Sequence, residues 1–278
     1  QYTNDSWTQI GEDIDGEAAG DQSGNSVNLS SDGSIVAIGA WRNDGNHASP
    51  GGHVRIYQYT NDSWTQIGDD IDGESEGDFS GGASSQAVGL SSDGSIVAIG
   101  AQYNNDNGDE SGHVRIYQNL NGAWTQIGED IDGEAASDRL GYSLSLSSDG
   151  SVVAIGAQYN DGNGNNSGHV RIYQNLNGAW TQIGDDIDGE SADDYSGYSV
   201  SLSSDGSSVA IGAPSNNGNG NNSGHVRIYQ FNTNNKSIDS DGSWSYTPEE
   251  NFNGSDSFNV VITDDDGNTQ TQEITVNV

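Results

Sequence analysis

Four times along this chain, at least four carboxylates fall within nine residues around an Asp-Gly-Glu turn. The first set is Asp13, Asp15, Glu17 and Asp21, and the second is Asp70, Asp72, Glu74 and Asp78. The third is Asp130, Asp132, Glu134 and Asp138, and the fourth is Asp186, Asp188, Glu190 and Asp194. Hard oxygen donors at alternate positions about a glycine turn suit calcium, which takes about six to eight oxygens in loose geometry. The spacing is not that of an EF-hand. A second reading needs no ion: the aspartates cap turns through Asx bonds, and Arg55, Arg115, Arg171 and Arg227 neutralise part of the charge.

Other candidate groups also come once per unit. Asn/Asp/Gly loops run through Asn43-Asp44-Gly45, Asn104 to Glu110, Asn160-Asp161-Gly162 and Asn216-Asn217-Gly218, and the second holds most carboxylates. Such loops are solvated connections or ligand loops. His53, His113, His169 and His225 either form a ring for a transition metal or hydrogen-bond between units. Trp7, Trp64, Trp124 and Trp180 are expected in the core. Trp41, Tyr103, Tyr142, Tyr159, Tyr195 and Tyr198 stand near loops and could line a rim for a glycan or a protein. No residue set breaks the fourfold equivalence to form a nucleophile or an acid/base pair, a glycosidase-type carboxylate pair included. The expectation is therefore a chain that is not an enzyme.

These residues must be positioned by a repeated unit. Ser/Ala-Trp-Thr-Gln-Ile-Gly and His-Val-Arg-Ile-Tyr-Gln each occur four times, with tryptophan spacings of 57, 60 and 56. Such a period means an array of small units, none able to bury its apolar face alone. In the third unit, residues 142–147 alternate polar and apolar, the period of a strand. Asp149-Gly150 signals a hairpin. Residues 152–157 are continuously apolar, as in a strand covered on both faces. Residues 169–174 and 180–184 supply a third and a fourth strand, and the acidic loop leads on.

Four short antiparallel strands per unit predict an all-β fold, a β-propeller of four repeats over residues 1–230. The chain opens on a fourth-strand phrase (6–11), and its last unit stops after a third (225–230). Either the N-terminal strand completes the last blade and closes a ring of four, or the repeats belong to a longer array. A polar linker spans 231–241, and residues 242–278 read as a small half β-sandwich of about three strands.

Seven Lys+Arg stand against 42 Asp+Glu, for a net charge of -35. That field disfavours nucleic acid and anionic membranes and favours divalent cations or basic partners. There is no cysteine, hence no disulfide. No run of 18 apolar residues occurs, so direct membrane insertion is not expected. The chain begins inside a repeat, as a processed product or a fragment would.

Residues 196–207, then Val209 to Pro214, then Ser223 to Tyr229 resemble an FG-GAP repeat: Phe-Gly-x-Ser-Val, Val-Gly-Ala-Pro, Gly-x-Val-Tyr-Val-Tyr. The likeness covers about 6–230, in all four units. It implies an extracellular propeller used in adhesion or ligand binding, often with calcium. The phenylalanine of the pattern is Ser23, Ser80, Leu140 and Ser196 here. The place of the integrin-type calcium loop holds only Ser31-Asp32-Gly33 and its equivalents at Asp93, Asp149 and Asp205, too short to wrap an ion. The C-terminal phrases Tyr246-Thr-Pro248, Asn251 to Phe258 and Asp266-Gly-Asn-Thr269 resemble cadherin-like, immunoglobulin-type adhesin repeats, whose calcium-linked loops Asp264, Asp265 and Asp266 resemble. Together these readings point to a secreted, bacterial, cell-surface module that binds a protein or glycan and is stabilised by calcium. The alternative is a structural subunit or spacer of a surface filament, self-associating through the C-terminal half-sandwich.

Overall fold

The computed structural model describes residues 6–45, 49–82, 84 and 86–231 with their side chains, and only the strand backbone of 2–3, 237–238, 244–245, 255–263 and 269–277. The chain divides into two compact units, Gln1–Phe231 and Asn232–Val278.

In the first unit, β1 (Tyr2–Thr3) and β2 (Ser6–Trp7) pair with each other. Blade 1 is β3 (Ser26–Leu29), β4 (Ile35–Ala40), β5 (His53–Thr60), β6 (Ser63–Gln66) and β7 (Ile71–Asp72). Blade 2 is β8 (Val88–Leu90), β9 (Ile96–Ala101), β10 (His113–Leu120), β11 (Ala123–Gln126) and β12 (Ile131–Asp132). Blade 3 is β13 (Ser143–Leu146), β14 (Val152–Ala157), β15 (His169–Leu176), β16 (Ala179–Gln182) and β17 (Ile187–Asp188). Blade 4 has three strands, β18 (Ser199–Leu202), β19 (Ser208–Ala213) and β20 (His225–Gln230). Every strand pairing in these sheets is antiparallel, and all are sequential except that β7, β12 and β17 pair back onto β5, β10 and β15; the result is a propeller-like all-β array without helix among the described residues. Among the described residues no helix is long and apolar enough to cross a membrane.

Two expectations are corrected. The acidic segment after each fourth strand is not wholly loop. Ile71 and Asp72 pair back onto Val54 and His53, so β6 and β7 are one edge strand interrupted at residues 67–70. The interruption acts as a bulge does: it re-aims Asp70 off the ladder, while Ile71 buries. Closure of the ring by the N-terminal strand, one of the two alternatives, is also not what the described residues do: Ser6–Trp7 pairs Tyr2–Thr3, and blade 4 has three strands among them.

The hairpin turns show why the short Ser-Asp-Gly phrase suffices. Asp32 Oδ1 accepts from Ser30 Oγ (2.8 Å), Ser34 N (2.9 Å) and Ser34 Oγ (2.8 Å). These bonds hold its carboxyl at about 2, well below the usual range. Gly33 takes the left-handed conformation such a turn needs. The same serine clasp recurs at Asp93, Asp149 and Asp205. Each carboxylate is thus engaged by its own turn, and the family's calcium loop has no counterpart here. Successive turns are chained by backbone bonds, Ser31 N to Ser92 O, Ser92 N to Ser148 O and Ser148 N to Ser204 O, all 2.8 Å.

Blades stack through apolar faces. Val54, Ile56 and Ile71 of blade 1 meet Val88, Val97 and Ile99 of blade 2. Val114, Ile116 and Ile131 then meet Leu140, Leu144, Val153 and Ile155. Val152, Val170 and Ile172 meet Val200, Val209 and Ile211. Glycine sets the spacing: a Cβ on Gly156 would lie 2.2 Å from the carbonyl oxygen of Gly197 in the next blade. Trp64, Trp124 and Trp180 sit half-buried, not in the core, where Trp124 Nε1 donates to the Ile67 carbonyl (2.8 Å) and Trp180 Nε1 to that of Ile127 (2.9 Å). Trp7, also expected in the core, is 82% exposed, because its strand pairs only Tyr2–Thr3.

In the second unit, β21 (Ser237–Ile238) pairs β22 (Trp244–Ser245), and β23 (Ser255–Thr263) forms a long hairpin with β24 (Thr269–Asn277). Asp264, Asp265 and Asp266 lie outside the described residues.

Candidate functional site

Each acidic segment is shared between two blades, and this sharing builds the clefts. The first aspartate stays with its own histidine, whereas the glutamate reaches the histidine of the following blade. Cleft 1 joins Glu17, His53 and Asp70, with His53 Nδ1 3.9 Å and 3.7 Å from the two carboxylates. Cleft 2 joins Glu74 (3.9 Å), Asp106 (4.0 Å) and Asp130 (3.6 Å) around His113 Nδ1. Cleft 3 joins Glu134, His169 and Asp186, with 3.6 Å from His169 to Asp186. In blade 4, Glu190 stands 3.6 Å from His225, and no second acidic segment joins them among the described residues. Within each of the three complete clefts the ligand-type atoms lie within 4.8 Å of one another.

The sixteen predicted carboxylates therefore divide into groups with different surroundings. Asp70, Asp130 and Asp186, with Glu17, Glu74, Glu134 and Glu190, face histidines. Asp13 accepts from Gln9 Nε2 at 2.9 Å. Asp21, Asp78, Asp138 and Asp194 are buried and do not enter the clefts. Their Oδ2 atoms accept the backbone N–H three residues earlier (Ser75 N to Asp78, 3.0 Å) and the amide of Asn43, Asn104, Asn160 or Asn216 (3.0, 3.3, 3.0 and 2.8 Å). They lock one blade's acidic segment to the next blade's Asn/Asp/Gly loop. Asp15, Asp72, Asp132 and Asp188 occupy edge positions; the carbonyls of Asp15 and Asp72 accept from Arg55 (2.7 Å) and Arg115 (3.3 Å), and that of Asp188 from Arg227. Each arginine is thus an interblade latch, and Arg115 also lies 3.3 Å from Glu74 and Arg171 pairs Glu134.

Burial pushes His53, His113 and His169 below the ordinary imidazole range, His113 to about 4, with Arg115 adding to the depression there. They stand neutral at pH 7, the form that ligates metal. Burial likewise raises Glu74, Asp78 and Asp132. The histidine–carboxylate distances exceed ordinary hydrogen-bond lengths, so interblade hydrogen bonding does not describe them. His113 Nδ1 and His169 Nδ1 are buried without a hydrogen-bond partner.

A second feature lies at the same strand ends. Phe79, Arg139 and Tyr195, two residues before a glycine in each repeat, share positive φ of 53°, 55° and 55°. Held non-glycine left-handed residues cluster at functional sites. Their side chains interleave with Trp41, Tyr103 and Tyr159. Trp41–Phe79 (5.0 Å), Phe79–Tyr103 (5.4 Å) and Tyr159–Tyr195 (5.6 Å) meet edge to face. Arg139 lies 4.7 Å from both Tyr103 and Tyr159 and pairs Glu110. The result is one half-exposed ridge across all four blades. Sequence reading found its tyrosines and Trp41 and missed Phe79 and Arg139; aligning the copies on the glycine would have shown that one position varies on a fixed backbone.

Two families match the sequence: FG-GAP repeat over residues 131–173 and 187–229, and Cadherin-like domain over 224–278. No curated protein matches. Among solved structures, a candidate 6-phosphogluconolactonase from Bacteroides uniformis shares 12% identity at a TM-score of 0.49, covering 80% of this chain and 53% of its own. The periplasmic gluconolactonase of Pseudomonas aeruginosa shares 11% at 0.45, covering 91% and 65%. An acylaminoacyl peptidase of Pyrococcus horikoshii shares 9% at 0.39, covering 85% and 32%. The chain thus spans about half to two thirds of the first two. The expectation that the chain is not an enzyme is corrected by this finding: similar structures include lactonases and peptidases. At these identities no activity transfers to this chain. The two family matches, FG-GAP repeats over part of the array followed by a cadherin-like segment, fit an extracellular binding module.

Proposed function

We propose that the array is an extracellular adhesion module that binds a surface protein or glycan along the aromatic ridge, with divalent cations, calcium first among them, tying successive blades at the clefts. The observation that carries this reading is the ridge. Rings and an arginine from four blades converge at one rim, on positions where the copies differ although the backbone does not. Aromatic and arginine side chains are the groups that dominate recognition surfaces. The clefts support the cation part, because each gathers two or three carboxylates, drawn from two successive acidic segments, around one histidine.

Binding of the full chain to glycan and matrix-protein arrays tests the ridge. The triple variant Phe79→Ala, Arg139→Ala, Tyr195→Ala is expected to lose binding while keeping its thermal transition; unchanged binding would refute the ridge. Thermal unfolding in calcium and in chelator tests the clefts, with a rise of several degrees expected in calcium.

A filament reading has its own support. Val27 and Leu29 at one end of the array, and Val226 and Ile228 at the other, are exposed. These are the two halves of an internal blade interface, so a second copy stacked head to tail is the matching occupant. Light scattering settles this: a mass that stays monomeric up to high concentration removes it.

A further inference from the structure

We propose that cleft 2, formed by Glu74, Asp106, His113 and Asp130, is a site for a zinc-class transition-metal ion. The inference rests on the reading of the clefts as cation sites and narrows the ion at one of them. Three observations carry it.

The first is a buried donor without a partner. His113 is 1% exposed, its Nδ1 has no hydrogen-bond partner, and that atom points at three carboxylates. The second is spacing. Distances of 3.6 to 4.0 Å from Nδ1 are too long for hydrogen bonds. Two ligands at about 2.1 Å from one zinc ion stand roughly 3.4 to 4.2 Å apart, from the tetrahedral to the linear limit. The third is orientation from outside the cluster. Gln126 Nε2 donates to Asp130 Oδ1 (2.6 Å), leaving Oδ2 toward His113. Arg115 lies 3.3 Å from Glu74 Oε1, leaving Oε2 toward His113. Outer partners that fix one oxygen and aim the other are the usual support of a metal ligand.

An imidazole nitrogen among few carboxylates selects a borderline ion over calcium, which takes oxygen donors in larger number. Cleft 2 also differs from its relatives by one residue. Asp106 stands where Gly45, Gly162 and Gly218 stand in the other repeats. The backbone is the same: Asp106 N donates to Asn104 Oδ1 (2.9 Å) as Gly162 N does to Asn160 Oδ1 (2.8 Å). Only here does the following loop add a third carboxylate to the histidine.

The test is calorimetric titration of the chelator-stripped full chain with zinc chloride and, separately, calcium chloride, with thermal unfolding in parallel. Expected is a tight zinc equivalent that raises the melting temperature. It weakens at least tenfold in Asp106→Gly and in His113→Gln and persists in His225→Gln. Glycine already occupies this position in three repeats, so Asp106→Gly keeps the fold. Zinc binding untouched by both cleft variants overturns the assignment. Calcium binding without zinc binding overturns it and leaves the cation reading standing. Response to neither ion sinks both.

Discussion

The hexapeptide His-Val-Arg-Ile-Tyr-Gln occurs at 169–174 and again at 225–230, and the two copies live in different surroundings. In blade 3, Val170 and Ile172 are 0% and 3% exposed; in blade 4, Val226 and Ile228 are 66% and 74% exposed. Local structure is unchanged, since both form the third strand and pair identically with the second, Ala157 with His169 and Ala213 with His225. The difference lies wholly in the neighbour. Val200, Val209 and Ile211 cover the first copy, and among the described residues no further blade covers the second. Strand formation here is a property of the repeat, whereas burial is a property of the array. Burying an Ile or Val side chain contributes roughly 1.5–3 kcal/mol, so most of a blade's stability comes from the next blade.

The largest expected effect breaks this contrast directly. Ile172→Ala should destabilise by about 2–5 kcal/mol, and Ile228→Ala by less than about 0.5 kcal/mol. Urea unfolding measures both, and equal losses would mean that the last face is covered in solution.

The next effect is on pH dependence. His53, His113 and His169 are held below their free value by burial, so the unfolded chain binds more protons than the folded one. In chelator, stability should fall as pH drops from about 6.5 toward 4, by about 1.4 kcal/mol for each unit of depression. Glu74, Asp78 and Asp132, raised by burial, oppose this at the acid end. His113→Gln should flatten the slope between pH 6.5 and 5. An unchanged slope would show that the imidazole is not buried neutral.

A smaller effect sharpens the comparison from the other side. Asn160→Leu and Asn216→Leu each remove an amide bound to a buried aspartate, Asp138 and Asp194, at a covered seam. Each should cost about 1–3 kcal/mol, and the two should be equal although one lies in blade 4. Unequal values in denaturant midpoints would show that the blade 3–4 seam is weaker than the blade 2–3 seam. The smallest effect is expected from Leu120→Ala, an exposed strand end, within about 0.5 kcal/mol.

Much of the architecture was legible in the chain because its signals are local. Alternation in 142–147, the Asp149-Gly150 turn and the apolar run 152–157 predicted strands, and β13 and β14 lie there. The acidic segments were legible as chemistry but not as geometry. Their members look equivalent along the chain, yet Asp78 caps Ser75 and binds Asn104, Asp70 faces His53, and Glu74 crosses to His113. A sequence window sees one segment at a time, whereas each cleft draws on two segments and a histidine about 40 residues from one of them.

Residue order alone therefore determined the strands, their pairing, the turns and the period, because hydrogen-bond ladders and turn conformations depend on near neighbours. It also carried the family resemblance. Tertiary structure alone decided which of four identical faces is covered, whether the array closes, and which carboxylates share a histidine. These depend on contacts between units that the chain's local preferences leave open, so the same six residues can be core in one blade and surface in the next.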